Sequence, residues 1–221
     1  MKGNLFVIIG TPESGRRSTL SHAISKIDGS SSAFFLLPQD LEIKDLPGTH
    51  WTWQDDQFNF QLKGDEKAEE WFLFLSYNID LADQIEGVYS ILENNEGLVL
   101  TRILTFINAS KLKELNKQLE EWLDACAHFS DVMCFINRLN DNASFISNTT
   151  SRFKSMCYPM ETFILSYKKT PPIDRLLAPI ARRMTHIFEL DDDTEDLREN
   201  DPFLLKCENG NRVRTIRIPS F

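Results

Sequence analysis

Gly10 and Gly15 bracket the stretch of this chain with the most chemical content, Leu5-Phe-Val-Ile-Ile-Gly10-Thr-Pro-Glu-Ser-Gly15-Arg-Arg-Ser-Thr-Leu20. An apolar run ends in a glycine-bounded turn, and a basic pair with two hydroxyls opens a helix-like segment. This is the layout of a phosphate-binding loop, GxxxxGK[ST], whose main-chain N–H groups wrap phosphate oxygens at a helix N-terminus. In such a loop the lysine adds positive charge and the hydroxyl holds Mg²⁺. Here the glycine spacing is kept and the lysine is replaced. If Arg16 stands for the lysine, Arg17 falls on the metal-ligand position. If Arg17 does, Ser18 is free for the metal, but the loop is one residue too long and Arg16 displaces a glycine. The first register is favoured, because the conformation a glycine adopts is hard to supply otherwise. A guanidinium is planar and bulkier than an ammonium, so phosphate binding is expected to survive and Mg²⁺ binding to weaken. Glu13 and Ser14 complete the loop. The competing reading is a plain strand-to-helix turn carrying solvated arginines.

The elements around this loop alternate between strand-like and helix-like patterns, which predicts an α/β fold. Leu5 to Ile9, Trp71 to Leu75 and Val132 to Ile136 are continuous apolar runs, as expected of parallel strands covered on both faces, and Leu98 to Ile107 reads as a further buried strand of the same sheet. Ala33 to Leu37 and Phe163 to Leu165 read as further strands. Trp51-Thr-Trp53 and Phe58-Asn-Phe60 alternate around Asp55-Asp56, the pattern of an antiparallel hairpin. Helices are predicted over Ser18 to Ile27, Asp83 to Glu93, Lys111 to His128, Asn142 to Met156 and Ile173 to Thr185, with a short strand over His186 to Leu190. Together they give a three-layer P-loop NTPase-like domain with a mostly parallel sheet over residues 1–190. Residues 191–221 form an acidic linker and a tail in which Asn209-Gly210 signals a short C-terminal β-hairpin.

Composition narrows the function classes. The 221 residues suffice for one well-buried domain. The formal charge of -9 argues against a nucleic-acid surface, and no apolar run reaches membrane-spanning length. The four cysteines are scattered, with no CxxC, and read as reduced thiols of a cytoplasmic protein. The four histidines have no metal-ligand spacing, so no metal site is expected. The aromatic cluster from Trp51 to Phe74 reads as core and hairpin packing, with a partner surface as the minority reading.

Three segments, in order, resemble the CobW/HypB/UreG group of P-loop GTPases. Gly10 to Leu20 resembles the family's GFLGSGKTTLL. Trp71-Phe-Leu-Phe-Leu-Ser-Tyr-Asn-Ile-Asp-Leu-Ala-Asp83 sits where the family has a strand running into ETTGLADP. Phe129-Ser-Asp131-Val-Met-Cys-Phe-Ile-Asn137-Arg-Leu-Asn140-Asp141 is similar to ADVVLLNKTDL. Just before it, Leu104-Thr-Phe-Ile-Asn108-Ala109 resembles a strand ending in VDA, and Tyr158-Pro159 sits where an NP pair is common. The order holds over roughly residues 4–190, whereas the family's larger C-terminal domain is replaced by the short tail.

The resemblance implies a site for GTP or GDP, with ATP left open. Gly10, Glu13, Ser14, Gly15, Arg16, Arg17 and Ser18 would hold phosphate, and Asn137, Arg138 and Asn140 would approach the base. Each motif departs from its pattern. In NKxD an aspartate accepts two hydrogen bonds from guanine, whereas Asn140 offers one acceptor, and Asp141 serves only if the loop shifts by one residue. Ser166-Tyr-Lys168 resembles the family's SAK base loop. The strand ending at Leu75 should deliver a carboxylate and a glycine, yet Ser76, Tyr77 and Asn78 follow it, with Asp80 and Asp83 further on. Without metal hydroxyl and carboxylate the clamp on the transferring phosphoryl group is lost, so no catalytic residue is assigned. The expectation is a degenerate, cytoplasmic GTPase-like protein, at most a weak NTPase. It binds a nucleotide or phosphate and an unnamed protein partner, but neither nucleic acid nor membrane. The alternative is a non-binding pseudo-GTPase acting as an interaction module.

Overall fold

The computed structural model describes residues 1–24, 33–43, 46–62, 68–112, 116–166, 171–189 and 200–218. Expectations for residues 25–27, 113–115, 167–168 and 190–199, including the acidic linker, lie outside them. In chain order the elements are β1 (Lys2–Gly10), α1 (Arg16–Ile24), β2 (Ala33–Pro38), β3 (Gly48–Gln54), β4 (Gln57–Phe60), β5 (Glu70–Phe74), α2 (Leu81–Glu93), β6 (Gly97–Asn108), α3 (Lys117–Phe129), β7 (Val132–Ile136), α4 (Ala143–Ser155), β8 (Glu161–Ile164) and α5 (Ile173–Leu176). The strands form one eight-stranded sheet, ordered β4-β3-β2-β5-β1-β6-β7-β8. All neighbours are parallel except β3 and β4. Among the described residues no helix is long and apolar enough to cross a membrane.

The continuous apolar runs are explained by burial on both sheet faces. Leu5, Val7 and Ile9 point into one core with α2, α3 and α4. Phe6 and Ile8 point into the other, with α1 and Leu176. The same alternation runs through Trp71 to Leu75 on β5 and Val132 to Ile136 on β7, giving the three layers expected of an α/β domain. The aromatic hairpin closes one edge, with Trp51 opposite Phe60 and Trp53 opposite Phe58. Its turn residues Asp55 and Asp56 both take positive φ, 52° and 54°, as a two-residue turn that follows strand twist requires. Gly87 of α2 lets the hairpin close in, since a Cβ there would lie 2.9 Å from Phe58 and from Trp53.

Three sequence expectations are corrected. The helix expected from Lys111 begins only at Lys117, where the Asn116 side chain caps it through Leu119 N. The helix expected over Ile173 to Thr185 is a single turn, Ile173–Leu176. Pro179 lacks a donor, clashes with the preceding turn and disfavours helix at Ala178. His186 to Glu189 is a turn rather than a strand, closed by Glu189 N–H on His186 O at 3.0 Å. This non-helical segment passes the middle of β6 and the N-terminal ends of β7 and β8, where an ion network holds it. The Asp131 carboxylate, fully buried, accepts from Ile103 N at 2.7 Å, Arg182 N at 2.5 Å and Arg183 Nη1 at 2.9 Å. Beside it Arg102 and Arg182 both pair with Glu161, at 3.5 and 3.0 Å.

In the tail the Asn209-Gly210 turn forms, closed by a single Lys206–Arg212 bridge. Its arms then separate because each has its own anchor. Leu204 and Ile216 are buried in the core. Ile216 N donates to Asp80 Oδ2 at 2.7 Å, and Leu81 N donates to Ile216 O at 3.0 Å. Arg212 pairs with Asp83 and Glu86, each at 2.8 Å. At the tail's start Asp201 accepts from Thr185 and meets His128 Nε2 at 2.7 Å. Burial pushes the Asp201 carboxyl up, but His128, Phe203 N–H and Thr185 outweigh it and hold it below the usual carboxylate range. A depressed carboxyl contributes stability above its unfolded pKa, near 3.9, and loses it as pH falls through the folded value. Hydrogen exchange at residues 200–218 should therefore quicken, relative to its intrinsic rate, as pH drops below about 4. Asp201→Asn, with no carboxyl to titrate there, should flatten that response. An acid response unchanged in Asp201→Asn would contradict the assignment.

Candidate nucleotide site

β1 ends at Gly10 in the middle of the sheet, and α1 begins at Arg16. Between them the chain closes a tight turn, with Ser14 N on Thr11 O at 3.2 Å. Glu13 and Gly15 take φ of 54° and 61°. Gly10 admits no side chain: a Cβ would lie 2.8 Å from both Arg16 Cδ and Ser14 Oγ and 3.1 Å from Phe106 O. The first amides of α1 have no intrahelical acceptor, as at any helix start. Beside them the Ser14 hydroxyl is buried with no hydrogen-bond partner. A buried polar atom left this way calls for an explanation, and a phosphate oxygen would supply one.

The basic pair points elsewhere. Arg16, expected to face a phosphate, is buried, and its Nη1 donates to Ile8 O at 3.0 Å and Leu75 O at 2.6 Å. Those carbonyls lie at the C-terminal ends of β1 and β5, so the guanidinium ties the two strand ends together beneath the loop. It also sits over the Phe74 ring at 5.7 Å. Burial draws its pKa down to about 10, against the opposing pull of Asp40 and Tyr77, so it stays charged at neutral pH. Arg17 Nη1 donates to Glu42 O at 2.9 Å. Ser18 Oγ is exposed and donates back to Gly15 O at 2.9 Å.

The loop after β5 is clamped by Gln84, a residue to which the sequence gives no role. Gln84 Oε1 accepts from Ser76 N at 2.7 Å, and Nε2 donates to Ser76 O at 2.8 Å and Ile79 O at 3.1 Å. The two carboxylates that follow are occupied. Asp80 caps α2 through Ala82 N at 2.9 Å and receives Ile216 N from the tail. Asp83 holds Arg212. Burial raises the Asp80 carboxyl above the usual range, against the backbone donors Ile216 and Ala82. Among the described residues no group of three or more His, Cys, Asp or Glu gathers as a metal site would require.

On the other side of the loop, Asn108 at the end of β6 joins two loops that the sequence treats separately. Its main-chain N donates to Thr11 Oγ1 at 2.8 Å, and its Nδ2 donates to Glu13 O at 3.2 Å. Its Oδ1 accepts from Asn137 Nδ2 and Ser110 Oγ, each at 2.8 Å. Asn142 then braces the next turn, with Nδ2 on Asn137 O at 2.9 Å and Oδ1 accepting from Leu139 N at 2.8 Å. Arg138 and Asn140 are exposed at the rim. The loop after β1, the loop after β5 and the loop after β7 thus share the C-terminal edge of the sheet, where open α/β sheets bind ligands. Asn108 and its partners Thr11, Glu13 and Asn137 all stand in segments the sequence singles out, but nothing in the sequence shows that one amide joins them, and nothing marks Asn142 as a brace.

No family model matches this sequence, and no curated protein is similar to it in sequence. Among solved structures, the hydrogenase maturation factor HypB from Archaeoglobus fulgidus is similar over 79% of this chain and 87% of that one, with 8% identity and a TM-score of 0.51. The chain shares the fold of that protein, a mostly parallel α/β sheet flanked by helices. The Zn(II)-bound YjiA GTPase from E. coli is similar over 81% of this chain and 62% of that one, with 8% identity and a TM-score of 0.47. On this fold, the loop between β1 and α1 carries two arginines that hold main-chain carbonyls.

Proposed function

We propose that this protein binds the phosphates of a nucleotide, GTP or GDP first among candidates, without depending on Mg²⁺ and with weak or no hydrolysis. The observation that carries the reading is the buried, unpartnered Ser14 hydroxyl beside the open N-terminus of α1. Main-chain amides of Gly15 to Ser18, the helix dipole and Ser14 bind the phosphate. Arg16 shapes the loop from beneath by tying β1 to β5. Mg²⁺ fits poorly, because Arg17 stands where a ligand hydroxyl belongs, the Ser18 hydroxyl is turned back onto Gly15 O, and Asp80 and Asp83 serve the tail. Arg138 and Asn140, exposed beside Asn137 at the same sheet edge, approach the base, but one amide acceptor discriminates poorly, so guanine and adenine nucleotides bind with similar strength.

A hydrogen bond to a charged oxygen contributes roughly 1.5–3 kcal/mol. Ser14→Ala should therefore weaken GDP binding about tenfold or more with little loss of stability, since the hydroxyl has no partner to lose. Turnover of GTP by the wild type should stay far below about 1 s⁻¹. An unchanged affinity in Ser14→Ala, or turnover at ordinary enzyme rates, would overturn the reading. A second reading, a non-binding interaction module, is favoured by one observation: Arg16 Nη1 is spent on the carbonyls of Ile8 and Leu75.

A further inference from the structure

Asn108 is buried, and each part of its amide serves a different loop. Nδ2 donates to Glu13 O in the phosphate loop, while Oδ1 accepts from Asn137 Nδ2 in the loop after β7. Glu13 and Asn137 share a second property: both are non-glycine residues at positive φ, 54° and 57°. That region is disfavoured for side-chain-bearing residues, and such a conformation persists only where surroundings over-determine it. Here one amide bonds both residues. Ser110 Oγ donates to the same Oδ1, and Thr11 Oγ1 holds the Asn108 main-chain N, at 2.8 Å each. A shift of the Glu13 carbonyl on filling of the phosphate loop would move the Asn108 amide plane. The same plane holds Asn137, whose main-chain oxygen is braced in turn by Asn142.

Resting on the proposed phosphate reading, we infer that Asn108 is a positioning residue that couples occupancy of the phosphate loop to the order of residues 137–142. Phosphate binding at the centre of the sheet edge thereby sets the rim segment that carries Arg138 and Asn140. The coupling is two-way by thermodynamic necessity, so a group bound at the rim also tightens phosphate binding.

Hydrogen exchange of the full chain with inorganic pyrophosphate in metal-free buffer tests this, because pyrophosphate has no base to touch the rim. In wild type, saturating pyrophosphate should slow exchange at residues 11–18 and also at 137–142, by roughly threefold or more. Asn108→Asp keeps an acceptor for Asn137 and removes the donor to Glu13 O. In that variant the slowing at 137–142 should vanish at pyrophosphate concentrations that still protect 11–18. Protection of 11–18 without any effect at 137–142 in wild type would overturn the coupling and leave the phosphate reading standing. Slowing at 137–142 that persists in Asn108→Asp would mean direct contact and would equally overturn it. No protection at 11–18 would overturn the phosphate reading, and the coupling with it.

Discussion

Asp131→Ala is expected to lower the unfolding free energy by about 3–5 kcal/mol, the usual cost of stripping one partner from a buried charged network. Asp131 is fully buried at the entry to β7 and receives two main-chain N–H groups and one guanidinium. Removing its carboxylate leaves the Ile103 amide without that acceptor. It also leaves Arg183, whose side chain is only 12% exposed, without its counter-charge. The segment after Pro179 is not helical, so it depends on such contacts for its path under the sheet. Asp131→Asn keeps the shape and should cost less. Against a typical domain stability of about 5–15 kcal/mol, the loss should be plain in a urea titration. A change under about 1 kcal/mol would mean that the network is a surface ornament in energetic terms.

Arg16→Ala is the second large effect, and it separates two roles for one residue. A phosphate ligand that faces solvent could be removed with little change in stability. An arginine buried under the loop and bonded to Ile8 O and Leu75 O cannot. Its loss removes a charged donor from a buried carbonyl, about 1–3 kcal/mol, and opens a cavity that adds to the cost. Relief of the guanidinium's own desolvation, visible in its depressed pKa, offsets part of this. The expected net loss is about 2–3 kcal/mol by chemical denaturation. Arg17→Ala, whose Nη1 reaches an exposed carbonyl of Glu42, should change stability by less than about 0.5 kcal/mol. Equal and negligible effects from both variants would return Arg16 to solvent and contradict its buried pose.

Legibility in the sequence followed the range of the interactions. Strands buried on both faces announced themselves in runs such as Leu5 to Ile9 and Val132 to Ile136, because a parallel sheet with two covered faces leaves no polar alternation. The hairpin at Asp55-Asp56 was equally readable, since its turn and its paired aromatics are local. Pro179 stands inside the helix expected over Ile173 to Thr185, and the chain obeys the proline. The tail was harder. Asn209-Gly210 marks a turn correctly, but strand pairing there loses to anchors contributed by Asp80, Asp83 and Glu86, far away in sequence.

The site divides in the same way. Glycine spacing located the loop, because Gly10 is required by atoms within the loop itself as well as by Phe106. The direction of Arg16 was not legible, since its acceptor at Leu75 lies on another strand. Nor were Gln84 and Asn108, whose importance comes from bridging loops brought together by the sheet order alone.

The most direct measurement is thermal unfolding of the wild-type chain with GTP, GDP, ATP and ADP, each in EDTA and in Mg²⁺. A ligand at 100 times its Kd stabilises by about 2.7 kcal/mol, which for a domain of this size is a shift of roughly 5–10 °C. The account predicts such shifts for the guanine nucleotides, similar ones for the adenine nucleotides, and no dependence on Mg²⁺. No shift with any nucleotide at millimolar concentration would contradict it in favour of a non-binding module, and a shift that requires Mg²⁺ would contradict it in favour of an intact metal site.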